Sequence, residues 1–410
     1  MDINELKLAI RDGVKAYLSL SYLLILIPSI LSLAIGGMHK AEITSLVAIS
    51  LAITTLITTW FVKKPLFISI SLISTVVLVY AVAIGKGVAW PIIAAGVIVE
   101  ALLMLATAMS TFKKEIVKAF PHFVRYALIA GVGIYMMYVG FFEIGFIKSP
   151  GTTPFSLFID LSSPEVLLGL ITIIFASTYI INKVPGALLL SLITSWVVGI
   201  MLGIVHIPNV VMQPLNIRIV ALPDVNGLMN TGLFSIIITL FLVETFHTIE
   251  AEKAVTKRKG DGETLLASSI GSFINGFLLL PSAVPSVELS IKSKNHLPNY
   301  IASMLFVLSA YFAPYFTIIP YYVTSALLVV MGGLFVSVIR HIKMSSGLDE
   351  LLTVALISVG SLIFLSPAYA LTVGLLFYVL IKTIEGEGRH VHPLLYITIV
   401  LLLLDYFKVI

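Results

Sequence analysis

The sequence predicts an all-α polytopic membrane protein of about fourteen spans, built as two inverted halves of seven. Three observations carry this. Of the 410 residues, 59% are hydrophobic and 11% charged, and the mean hydropathy is +1.09, whereas soluble domains carry about 25% charged residues. The basic residues fall on alternate sides of the apolar runs. A motif in the first half also recurs in the second. Composition excludes much else. Cysteine is absent, so there is no disulfide framework, thiol nucleophile or Cys metal site. The histidines never take HxxxH or HxxEH spacing, so no metal or other cofactor is implied. No cleavable leader is expected, because Met1–Lys15 is short and charged and the apolar run after it is long enough to span.

Apolar runs of roughly 20 residues match a hydrocarbon core of about 30 Å. In the first half they are Val14–Ile35, Ala41–Val62, Leu66–Ile84, Val88–Ser110, Val124–Phe146, Glu165–Ile181 and Pro185–Ile204. In the second they are Leu228–Glu250, Leu265–Leu280, Ser282–Ile291, Asn299–Phe316, Tyr321–Ile339, Glu350–Leu365 and Ala368–Thr383. A last run, Val391–Phe407, follows a charged linker and reads as an interfacial or terminal helix. With these spans, one side collects Lys63, Lys64, Lys113, Lys114, Lys118, Lys257, Arg258, Lys259 and most other cations. The opposite side holds only Lys40, Lys86, Lys148 and Arg218. The positive-inside rule then places the N-terminus in the cytoplasm. The cations are topology signals, and no nucleic-acid partner is expected.

The repeat joins Pro121-His-Phe-Val-Arg-Tyr-Ala-Leu to Pro320-Tyr-Tyr-Val-Thr-Ser-Ala-Leu, with Gly133 and Gly332 following. Each motif opens the fifth span of its half. Pro185 and Pro367 likewise open the two seventh spans. Seven is odd, so the second half must sit upside down, a transporter architecture. The third and tenth spans are weak as helices. Pro65–Thr75 alternates apolar and hydroxyl residues with period two, which is strand-like. Pro281 and Pro285 forbid an unbroken helix through the tenth. Extended backbone at such depth must be buried by protein or line a cavity.

Among polar residues, Glu244 leads. It lies in Gly232–Glu252, where Phe241, Glu244, His247 and Thr248 share one helical face. A carboxylate at mid-depth costs about 2.5–3.5 kcal/mol even on the gentler insertion scales, so it must face a cavity, partner or substrate. Glu288 ranks beside it, next to the proline-broken segment. His247 reads as either a proton partner or a hydrogen-bonded orienter. Glu100, in the fourth span, reads equally as a coupling-proton site or as core packing. Phe241 is first a packing residue, although it could stack on a planar ligand. Ser69, Ser71 and Ser74 are expected chiefly to satisfy extended backbone, with Thr75 the exception, and Glu250, Glu252 and Lys253–Lys259 to form a solvated helix end.

Four stretches carry a family resemblance: RDGVKAYLSLSYLLILIPSIL, FKKEIVKAFPHFVRYALIAGVGIYMMYVG, FLVETFHT and GRHVHPLLY. In this order the chain resembles the adenine/guanine/hypoxanthine permeases. These are a branch of the nucleobase:cation symporters that shares the fold of uracil permease and the sulfate/anion transporters. The resemblance implies a core of spans one to four and eight to eleven (1–117 and 227–318) that slides as an elevator. It would slide against a gate made of the other spans (118–226 and 319–390), with 391–410 a terminal interfacial helix. It also implies a homodimer joined through the gate. The family's eighth-span acid falls on Glu244 and its tenth-span glutamate on Glu288. Its second eighth-span Asp is replaced by His247, and its third-span Asn falls on Thr75. The expected activity is import of a nucleobase coupled to a proton (or Na+) through the plasma membrane. Glu244, Glu288, Thr75, His247, Phe241 and Thr248 would contact substrate, and Glu244, Glu288 and Glu100 are candidates for the coupling proton. The rival readings are an anion transporter of the same fold, which two facing acids disfavour, and an intramembrane enzyme or sensor, for which no nucleophile–base set or added domain is found.

Overall fold

The computed structural model describes residues 3–62, 66–148, 161–206, 221–229, 231–256, 262–286, 295–342 and 347–407. Helix α1 (Ile3–Leu20) begins well before the expected first span, and α2 (Leu23–Leu31) completes it. Hydropathy missed this start because α1 is amphipathic, with Ala9, Asp12, Gly13 and Ala16 on its buried face. Helix α3 (Lys40–Phe61) opens on a reciprocal cap, in which Glu42 Oε2 accepts from the His39 N–H at 2.8 Å. The third span is half strand, half helix, as its period-two pattern predicts. Strand β1 (Phe67–Ile70) leads into α4 (Leu72–Val76), and Val77–Ile84 continues as a π-helix. Then come α5 (Trp90–Met109), α6 (Phe112–Ala119), α7 (His122–Ile144), α8 (Pro164–Ile181) and α9 (Ala187–Met201).

The second half starts with α10 (Val225–Leu228), capped by Asp224, whose Oδ1 accepts from the Gly227 N–H at 2.9 Å. That turn belongs to no span. The eighth span, expected from Leu228, is α11 (Phe234–Thr256). It is followed by α12 (Glu263–Phe277), β2 (Ala283–Ser286), α13 (Leu297–Tyr311), α14 (Ala313–Phe316) and α15 (Tyr321–Val336). The last elements are α16 (Leu348–Ser358), α17 (Gly360–Ile363), α18 (Pro367–Ile384) and α19 (Pro393–Tyr406). Among the described residues, 8 helices are long and apolar enough to cross a membrane, and shorter apolar helices accompany them. The protein is therefore a helical, multi-pass membrane protein.

The chain forms two compact units, one of Met1–Thr75, Met136–Val220 and Ser286–Met331, the other of Val76–Tyr135, Ala221–Pro285 and Gly332–Ile410. In the first unit α13 packs against α1 and α3. Gly13 permits this approach, since a Cβ there would lie 2.9 Å from the Pro298 carbonyl oxygen. The strand entry is satisfied from outside. Thr58 Oγ1 donates to Leu66 O at 2.8 Å, Thr54 Oγ1 to Ile68 O at 3.1 Å, and Asn299 Nδ2 to Leu66 O at 3.1 Å. Of the hydroxyls of β1 and α4, expected in this role apart from Thr75, Ser71 Oγ accepts the Ser74 N–H at 3.1 Å, and Thr75 Oγ1 donates to Ser71 O at 2.6 Å.

In the second unit α5 packs along α12, and α11 lies against α5, α12, α18 and α19. Helix α7 meets α15 at glycine: a Cβ on Gly133 would sit 2.7 Å from Gly332 O and 2.8 Å from Phe335 Cβ.

Candidate functional site

The site is built where α12 gives way to β2. Leu279 turns the chain with φ 60, a left-handed conformation normally left to glycine, and Trp90 Nε1 donates to its carbonyl at 2.9 Å. Asn275 Nδ2 donates to Pro281 O at 2.9 Å, and Ser272 Oγ accepts the Ala283 N–H at 2.7 Å. The segment broken by Pro281 and Pro285 is thus held in extended form by the side chains of α12, as buried backbone requires.

These contacts aim Ser282 at α5. Its Oγ donates to Glu100 Oε2 at 2.7 Å, and both residues are buried. The other oxygen, Glu100 Oε1, is buried with no hydrogen-bond partner among the described residues. Glu244, fully buried on α11, acts on Glu100 electrostatically. A hydroxyl from the proline-broken segment thus meets a carboxyl of α5. Sequence reasoning did not select Ser282; a hydroxyl directly after the helix-breaking Pro281 was the available signal.

His247 lies one turn after Glu244, with Nδ1 3.9 Å from Glu244 Oε2, too long for a hydrogen bond. Its ring meets Phe335 edge-on, centroids 5.7 Å apart. His247 Nδ1 and Thr248 Oγ1 are both buried without a hydrogen-bond partner among the described residues. Phe241 is 8% exposed and adjoins this face. A small cleft lined by Leu78, Val82, Ile93, Val97, Ile236 and Leu240 has Glu100 as its one charged wall residue. Thr75 belongs to the other compact unit, where it is fully buried. Glu288 lies outside the described residues. No group of three or more His, Cys, Asp or Glu able to hold a metal occurs among the described residues.

The end of α11 corrects an expectation. Glu252 is 3% exposed, and its Oε2 lies 3.4 Å from Lys113 Nζ. Glu250 accepts from Arg125 Nη1 at 3.3 Å, Tyr126 OH at 3.1 Å and Lys253 Nζ at 2.7 Å. This end is a packed ion network rather than a solvated one, because α6 and α7 bring cations against it. Lys257–Lys259 lie outside the described residues.

A helical membrane protein with buried carboxyls beside a proline-broken span has the build of a secondary transporter. Residues 10–288 match the Permease family, and the chain belongs to it; these are transport proteins, not enzymes. The chain is 23% identical to the guanine/hypoxanthine permease PbuG of Bacillus subtilis, over 75% of this chain and 73% of that protein. It is 22% identical to the adenine permease AdeP of Escherichia coli, over 96% and 91%. In fold it is similar to the transmembrane domain of a cyanobacterium bicarbonate transporter, BicA. That likeness has a TM-score of 0.68 at 14% identity and covers 90% of this chain and 98% of the other.

Proposed function

We propose that the protein is a proton-coupled nucleobase importer of the plasma membrane that carries a purine by elevator-type alternating access. The observation that carries this reading is the buried Glu244, set beside Glu100 and one turn from His247, in a family whose relatives include purine permeases. A purine offers ring and exocyclic N–H donors, which a carboxylate accepts two at a time in one plane. Glu244 is the primary acceptor, with His247 and Thr248 adding polar contacts and Phe241 an aromatic face. Glu288 and Thr75 remain candidates for substrate contact by their place in the family's motifs. The coupling proton is assigned to the buried carboxyls Glu100 and Glu244. One proton held by that pair, bound together with the substrate, supplies the linkage that coupling needs. The moving part is the core of spans one to four and eight to eleven, and the gate pairs two copies.

The test is thermal unfolding of purified protein with adenine, guanine, hypoxanthine, uracil or sulfate. A purine at 100 times its dissociation constant stabilises by about 2.7 kcal/mol, and Glu244→Gln removes that stabilisation while the protein stays folded. Stabilisation by sulfate and not by purines would replace this reading with anion transport. A full purine response in Glu244→Gln would end the assignment of Glu244.

A further inference from the structure

We propose that α19 crosses the membrane antiparallel to α11, and that Asp405 anchors the start of α11, the helix that carries Glu244. One end of α19 meets the start of α11, and the other meets α6, which is itself tied to the far end of α11. At the start, His392 Nε2 lies 3.5 Å from Glu115 Oε2 on α6, and α6 is tied to the far end of α11 by Lys113 and Glu252. At the finish, Asp405 Oδ1 accepts the N–H of Phe234, the first residue of α11, at 3.0 Å. From Phe234 to Glu252, α11 rises about 27 Å. A helix lying in the plane of the membrane could not reach from the start of a helix that crosses it to a neighbour of that helix's far end.

The composition of α19 agrees. An interfacial helix keeps one strongly polar face toward water. Here the inward stripe is Leu395, Thr398, Ile399, Leu402 and Asp405. The outward face is Tyr396, Ile397 and Val400, each more than a third exposed and each suited to lipid. Asp405, the helix's one charged residue, is 6% exposed. A buried carboxylate at that depth needs a partner, and it has two: the first free N–H of α11 and the positive end of that helix's dipole. Lys86, whose Nζ donates to Gly232 O at 3.3 Å, adds a Coulomb attraction to Asp405. The chain therefore leaves α19 on the face opposite to α6, whichever substrate is carried.

The protein has no cysteine, so one introduced thiol reports one position. Phe407→Cys and Lys114→Cys, both at exposed sites, are labelled in intact cells with a membrane-impermeant maleimide. Phe407→Cys is expected to react without permeabilisation and Lys114→Cys only after it. Equal accessibility of the two would overturn the crossing. For the anchor, amide hydrogen exchange of the first turn of α11 is compared in Asp405→Ala and Asp405→Asn. Asparagine keeps the accepting oxygen but not the charge, so Asp405→Ala should exchange at least tenfold faster than the parent and Asp405→Asn should fall between the two. Parental exchange in Asp405→Ala would remove the anchoring role and leave the labelling result to decide the crossing alone.

Discussion

Replacing Glu100 by Gln isolates the proton from the substrate. The side chain keeps its shape, and its carbonyl oxygen can still accept from Ser282 Oγ, the bond that measures 2.7 Å in the parent. Its new amide takes the place of Oε1, which has no hydrogen-bond partner among the described residues. The cost to stability is bounded by one poorly satisfied buried donor, about 1–3 kcal/mol. The effect on transport is of another kind. One proton carried per substrate across a gradient of one pH unit supplies about 1.36 kcal/mol, enough to hold a tenfold accumulation. In proteoliposomes with that gradient, the parent should accumulate labelled purine about tenfold and Glu100→Gln should only equilibrate it. Exchange of internal for external purine, which needs no net proton movement, should persist in the variant. A Glu100→Gln protein that still accumulates tenfold would show that Glu100 does not carry the proton.

Arg125→Ala removes a cation that is 8% exposed and strips Glu250 of one of its three donors. Because Tyr126 and Lys253 remain, the loss in thermal unfolding should be about 1.5–3 kcal/mol; no loss would show the pair to be idle. Thr58 and Asn299 both donate to Leu66 O. Thr58→Val or Asn299→Leu alone leaves that carbonyl one donor, and the double variant leaves none. Asn299 Nδ2 also donates to Thr58 Oγ1 at 2.7 Å, so the three groups form one network, and the double variant should depart from the sum of the singles by about 1–2 kcal/mol; strict additivity would contradict the coupling. Gly133→Val should destabilise by about 1–3 kcal/mol through overpacking, because its Cβ would meet backbone at Gly332 O. Parental stability in that variant would mean that α7 and α15 pack more loosely than described.

Hydropathy and proline placement made much of this fold legible before any coordinates. The strand-like start of the third span was readable from alternation after Pro65, and the break in the tenth from Pro281 and Pro285. Glu244 stood out for the plain reason that a carboxylate in hydrocarbon must have a use. Groups whose partners lie far along the chain did not stand out. Asn299 sits 233 residues from the carbonyl it satisfies at Leu66, and Ser282 sits 182 from Glu100. A lone Thr such as Thr58 in an apolar helix reads the same whether it bonds its own turn or a neighbouring strand. Glu250 and Glu252 were misread for a related reason: a run of charge at a helix end looks solvated until the helices that flank it are placed. The true start of α11 was also obscured, because Leu228 extends the apolar run while belonging to a separate turn capped by Asp224.

The glycine crossing of α7 and α15 has a reach beyond its own contact. Phe335, whose Cβ is next to the place a side chain on Gly133 would fill, also turns its ring edge toward His247. A lone hydrogen at position 133 thereby fixes how far back the aromatic wall behind His247 can stand. Widening that position by one carbon would press the wall forward, so the space beside His247 on α11 is decided in part by a residue that never meets it.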